Sequence, residues 1–131
     1  MFLDTSAYTA LNQGNSDMVE VLRGAQSIFL SLPVIAELRY GFVNGSKAEH
    51  NEDVLQKFLA APQVLIASPT METTKHYANL QTICRQSGRV LSHNDIWIAA
   101  MAYELSQTLV TFDQDFTVFN EIFGKKLIIL N

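Results

Sequence analysis

The chain has 131 residues, of which 48% are hydrophobic and 17% charged, and it carries a net charge of -4. That length suits one domain around a single core, spanning residues 1–131, and the composition excludes a disordered chain. The lone Cys84 excludes an internal disulfide, and no Cys/His cluster has zinc spacing.

The opening Met1-Phe2-Leu3-Asp4 has no basic stretch leading into a long apolar run, so a secretory leader is not expected. The longest apolar run, Ile96 to Tyr103, is well short of the roughly 18 residues that span a membrane. A reducing cytoplasm is the expected location.

Short apolar runs alternate with longer helical patterns, which predicts an α/β fold around a parallel sheet. Phe2-Leu3 opens a very short strand. A helix follows from Thr5 to about Gln13, ended by Gly14, and a second runs from Ser16 to Arg23. Ile28 to Leu32 reads as a buried strand, and Pro33 suits the first turn of a helix reaching about Asn44. Ser46 is expected to cap a helix through about Ala60. Val64 to Ala67 forms the third strand, and Met71 to Gln86 a helix stopped by Gly88. Ser92 begins a helix through Leu105, Leu109 to Thr111 is the fourth strand, and Leu127 to Leu130 the fifth.

Four carboxylates stand where apolar residues dominate. Asp4 follows two strand-forming residues and is the only charged side chain before Asp17. Glu37 sits in Pro33 to Val43, a helix too apolar for a surface helix. Asp95 is the only Asp, Glu, Lys or Arg between Arg89 and Glu104, and Asp113 follows the strand Leu109-Val110-Thr111-Phe112. Burying an unpaired carboxylate costs several kcal/mol, so each needs donors, a cation or a metal. Taken singly, each has a plain structural explanation. Asp4 and Asp95 are possible helix N-caps, Asp113 a turn residue, and Glu37 a partner for Arg39 or Arg23.

Topology draws the four together. Helices in a parallel α/β sheet run antiparallel to the strands, so strand C-termini and helix N-termini share one rim, where such sheets bind ligands. Four clustered carboxylates repel one another, and a hard divalent cation resolves the repulsion. Oxygen-only ligands select Mg²⁺ or Mn²⁺ over zinc. The net charge agrees: without these four, nine acidic side chains balance nine basic ones.

With these residues in view, the chain resembles the PIN-domain family, in particular the VapC-like toxin ribonucleases of bacterial toxin–antitoxin pairs. The likeness rests on Leu3-Asp4-Thr5-Ser6, Glu37-Leu38-Arg39-Tyr40-Gly41, Asn94-Asp95-Ile96-Trp97-Ile98-Ala99-Ala100 and Leu109 to Phe116, with Asn51 to Leu59 matching the usual linking helix. The resemblance implies a three-layer α/β/α domain with a five-stranded parallel sheet of order 3-2-1-4-5. It also implies Mg²⁺- or Mn²⁺-dependent endoribonuclease activity on tRNA or other structured RNA, homodimerisation, and inhibition by a cognate antitoxin. Asp4, Glu37, Asp95 and Asp113 would be the catalytic metal ligands, directly or through water. Ser6 and Thr111 would be supporting hydroxyls. Asp115 would either assist a second metal or cap the following turn. Hydrolysis by water would leave 5′-phosphate and 3′-hydroxyl ends, since no 2′-hydroxyl is needed for attack.

The remaining candidates have everyday explanations. His50, His76 and His93 suit surface or capping roles, and Trp97 suits core packing. Arg85, Arg89, Lys125 and Lys126 suit solvated charge as readily as phosphate contacts. Tyr8, Leu11, Tyr40, Phe42 and Phe58 are candidates for an apolar groove that holds an antitoxin helix, or for the core. A response-regulator reading fails because Ala67-Ser68-Pro69 after the third strand contains no acid. Two rivals stay open: a catalytically silent binding domain of the same fold, and a nuclease acting on DNA.

Overall fold

The computed structural model describes all 131 residues. Five strands, β1 (Phe2–Leu3), β2 (Ile28–Ser31), β3 (Val64–Ala67), β4 (Leu109–Thr111) and β5 (Leu127–Ile129), form one sheet in the order β3-β2-β1-β4-β5. Every pairing is parallel. The chain leaves β1 to build outward on one side and later returns to build on the other. Its two-residue central strand therefore marks the switch point, the position at which open sheets of this class take up ligands.

Local chemistry explains the element ends. Helix α1 (Thr5–Asn12) starts on Asp4, whose side chain accepts from the Ala7 N–H. The short α2 (Ser16–Leu22) starts on Asn15 in the same way. Ser31 ends β2 and caps α3 (Leu32–Val43), with Pro33 in its first turn, where a missing N–H costs nothing. Helix α5 (Met71–Gln86) begins with a reciprocal Thr70/Thr73 capping box, and α6 (His93–Glu104) begins on Ser92. Gly14 and Gly88 adopt φ of 75° and 68° just beyond α1 and α5, the left-handed stop that glycine allows.

One core fills the space between the layers. Helix α6 supplies its centre, with Ile96, Ile98, Ala99, Ala100, Met101 and Ala102 all buried. Phe2, Leu3, Leu30, Leu109 and Val110 are sealed within the sheet, and Phe116 and Phe119 close it near β5. Each fully buried Leu, Ile or Phe contributes about 1.5–3 kcal/mol of transfer free energy. No helix is long and apolar enough to cross a membrane.

Several expectations are corrected. Leu32 is 48% exposed and opens α3 rather than ending β2. Helix α3 is amphipathic rather than enclosed, because Tyr40 and Val43 are 73% and 75% exposed. Ser46 does not cap α4 (Ala48–Leu59). Lys47 stands at that position and makes no side-chain cap bond. The span between β4 and β5 is filled by a 3-10 turn (Gln114–Phe119), the one-turn helix α7 (Asn120–Phe123) and a second 3-10 turn (Gly124–Lys126). Segments of three to six residues are too short for a 3.6-residue period to be visible in sequence.

Candidate active site

Asp4 stands at the C-terminal end of β1 and is 4% exposed. Its Oδ1 accepts from the Ser6 hydroxyl at 2.7 Å and the Ala7 N–H at 2.9 Å, and its Oδ2 from the Thr111 hydroxyl at 2.5 Å. Both hydroxyls are themselves oriented by backbone donors. The Phe112 N–H donates to Ser6 Oγ at 3.0 Å, and the Asp113 N–H to Thr111 Oγ1 at 2.9 Å. A hydroxyl that receives a backbone proton has only its own proton to give, and here it gives that proton to Asp4. Burial raises the Asp4 pKa above the ordinary carboxylate value. The donors from Thr111, Ala7 and Ser6 oppose the rise, and the negative charge of Asp113 adds to it.

Asp95 lies in the first turn of α6, where its N–H donates to the Ser92 hydroxyl at 3.1 Å. Its pKa is raised, first by burial and then by the charges of Asp113, Glu37 and Asp4, with hydrogen bonding to Ser92 working against the rise. Asp113, Glu37 and Asp4 thus all lie near enough to Asp95 for their charges to oppose its ionisation. Glu37, about one turn into α3, accepts from Thr5 Oγ1 at 3.0 Å and from Asn94 Nδ2 at 3.1 Å. Asp113 follows β4 and caps the first 3-10 turn by accepting from the Asp115 N–H at 2.9 Å.

None of the four pairs with a cation. The protein's ion pairs are Arg23–Glu20, Arg39–Glu52, Lys75–Glu72 and Arg89–Asp115. Neutral hydroxyls and amides hold the rim carboxylates and leave their charge uncompensated. The hydroxyls of half-buried Ser6 and buried Thr111 serve as donors to Asp4, which does not suit a nucleophile. The donor set is all oxygen, the type that suits a hard divalent cation. As the side chains stand, no three His, Cys, Asp or Glu residues close on a single point tightly enough to hold a metal ion. Five clefts elsewhere in the molecule are lined by other residues. Glu37, Asp95 and Asp113 are half-buried along the rim, and Asp4 is buried.

The PIN domain pattern matches residues 1–122. This chain belongs to the PIN-domain family. It is 34% identical over 93 residues to the ribonuclease VapC2 of Rickettsia felis, a match covering 71% of this chain and 68% of that protein. Over 118 residues it is 29% identical to the ribonuclease VapC5 of Mycobacterium tuberculosis, covering 87% and 83%. Among solved structures, VapBC2 from Rickettsia felis, bound to a DNA fragment from its promoter, aligns with a TM-score of 0.78 at 30% identity, covering 99% of this chain and 96% of that one. The chain is thus a VapC-like PIN domain with the five-stranded parallel sheet of that fold.

Within this PIN domain, Asp4, Glu37, Asp95 and Asp113 face one rim, and Ser6 and Thr111 both donate to Asp4. Asp115 has a different setting. Asp113 caps the turn, while exposed Asp115 pairs with Arg89 at 3.2 Å. Glu37 pairs with neither Arg39 nor Arg23, which are engaged by Glu52 and Glu20. Of the groove candidates, Tyr8 is buried edge-on against Phe58, whereas Tyr40 faces solvent. Trp97 packs on Tyr77 at a centroid distance of 4.4 Å, and the Tyr77 hydroxyl meets His93 Nδ1 at 2.6 Å. Thr5 and Asn94 were not singled out from the sequence. The only available signal was their position beside Asp4 and Asp95, and ordinary polar residues in a first helical turn carry no mark of a distant partner.

Proposed function

We propose that this protein is a Mg²⁺- or Mn²⁺-dependent endoribonuclease toxin, held silent by a cognate antitoxin, that hydrolyses tRNA or other structured RNA to 5′-phosphate and 3′-hydroxyl ends. One observation carries the reading: four carboxylates share the switch-point rim of the sheet, and no basic side chain neutralises any of them. Mutually repelling charges cost stability, and a divalent cation would remove that cost. The ribonuclease names of the two VapC relatives support the same activity, and the VapBC2 complex supports an antitoxin partner.

Asp4 and Asp95 would be the principal cation ligands, with Glu37 and Asp113 completing the shell directly or through water. A bound Mg²⁺ or Mn²⁺ supplies Lewis-acid stabilisation of a phosphodiester and lowers the pKa of water. The chain's own contribution is orientation. Ser6, Thr111 and the Ala7 N–H fix the Asp4 carboxylate, and both oxygens of Glu37 are held from two helices. Partial exposure of Glu37, Asp95 and Asp113 suits a polymer that is cut internally, since a chain could lie across the rim without threading an end. The raised pKa of Asp95 suits a carboxylate whose charge awaits a counter-ion.

The test is cleavage of a structured RNA by purified protein with Mg²⁺, Mn²⁺ or chelator, comparing wild type with Asp4→Asn and mapping the new ends. Cleavage by wild type that stops with chelator, and a loss of about 10³-fold or more in the variant, is the expected outcome, on the scale of removing one essential charge-stabilising group. Undiminished cutting by Asp4→Asn would reject the assigned site. Cutting of DNA in place of RNA, or of nothing at all, would favour the two rivals.

A further inference from the structure

We infer that Thr5 and Asn94 are positioning residues that hold Glu37 in the geometry required for cation binding. Glu37 is the only glutamate among the four rim acids. It projects from α3, outside the sheet, on a long side chain with three rotatable bonds, and it is half-buried rather than wedged in place. Yet both of its oxygens are occupied: Oε2 by the Thr5 hydroxyl at 3.0 Å and Oε1 by the Asn94 amide at 3.1 Å.

The origin of these donors is the informative part. Thr5 is the first residue of α1, immediately after Asp4, and Asn94 lies in the first turn of α6, immediately before Asp95. The two helices that present Asp4 and Asp95 thus each extend one neutral donor to the same third acid. The clamp connects three separate elements at the rim. Both donors are uncharged, so Glu37 is held without an ion pair. Arg39, two residues along α3, lies on a different face of the helix from Glu37. It turns instead to Glu52, with two bonds of 2.9 Å. Outer-sphere partners that orient a ligating carboxylate typically change metal affinity by about 10–100-fold.

This inference rests on the proposed role of Glu37, so the experiment separates the two. Mn²⁺ binding to the full-length protein is measured by titration calorimetry for wild type, Glu37→Gln, Thr5→Val, Thr5→Ser, Asn94→Ala and the Thr5→Val/Glu37→Gln double variant. RNA cleavage is followed in parallel as a function of Mn²⁺ concentration, and circular dichroism checks folding. Glu37→Gln is expected to weaken Mn²⁺ binding by about 10–100-fold, and Thr5→Val and Asn94→Ala by about tenfold each. Thr5→Ser retains the hydroxyl and is expected to bind as wild type does. In the Glu37→Gln background, Thr5→Val is expected to add nothing. The Mn²⁺ concentration for half-maximal cleavage should rise while KM for RNA stays constant. If Glu37→Gln weakens binding but folded Thr5→Val and Asn94→Ala match wild type, the clamp is refuted and the site survives. Wild-type Mn²⁺ binding by Glu37→Gln would overturn the role of Glu37 and the clamp together.

Discussion

Two kinds of carboxylate occur in this molecule, and they obey opposite rules. Glu52, on the outer surface of α4, meets Arg39 through a bidentate pair and accepts a further bond from Gln56, which lowers its pKa. Asp4 and Asp95, on the rim, have only neutral donors, and burial raises their pKa values. The first arrangement is what folding alone selects: charge in water beside opposite charge. The second sets like charges near one another; Asp4 and Asp113 also cap the segments that follow them, but no basic side chain offsets the charge at the rim.

The contrast is open to perturbation, most severely at the hydroxyl that supports Asp4. Thr111 is fully buried, donates to Asp4 and accepts from the Asp113 N–H. Thr111→Val would strand both groups, and a loss of about 1–3 kcal/mol in chemical-denaturation stability is expected. Cleavage should fall with it, by about 10–100-fold if Asp4 orients a cation. A valine variant as stable as wild type would mean that Asp4 does not depend on this bond.

Removing a rim charge should act in the reverse direction. Asp95→Asn is expected to raise the cation-free melting midpoint at pH 7 by a few degrees, because it relieves repulsion from Asp113, Glu37 and Asp4. The pH dependence follows from the same shifts. Folded protein holds the Asp4 and Asp95 protons more tightly than unfolded protein does. Cation-free stability should therefore decline as pH rises from about 4, the unfolded carboxylate value, through the raised folded values. Thermal scans across pH, with and without the substitution, would reveal the slope and its reduction.

Glu52 gives the smallest effect and the opposite sign. Its folded pKa is lowered, so its contribution is present above the unfolded value and is lost as pH falls through the folded one. The pair is exposed and screened, and Glu52→Gln should barely move the melting midpoint at neutral pH. A large loss there would erase the distinction between the two classes.

How much of this was legible in the sequence depended on how far each interaction reaches. The strands and long helices follow from local pattern, and Asp4, Glu37, Asp95 and Asp113 stood out because each interrupts an apolar context. The sheet order came from family resemblance, since no local pattern specifies which strands become neighbours. The short segments after Asp113 escaped because three to six residues are too few to show a period. Arg89–Asp115, 26 residues apart, and the Thr5 and Asn94 contacts to Glu37, 32 and 57 residues apart, escaped because polar side chains on a first helical turn do not announce a distant partner.

The central claim is that the rim awaits a divalent cation, and the most direct measurement is the thermal stability of the RNA-free protein as Mn²⁺ or Mg²⁺ is added. Wild type should be stabilised progressively, by about 2.7 kcal/mol at a cation concentration one hundred times the dissociation constant. Asp4→Asn and Asp95→Asn should show little or none of that gain. Equal stabilisation of all three proteins, or no stabilisation of wild type, would contradict the account.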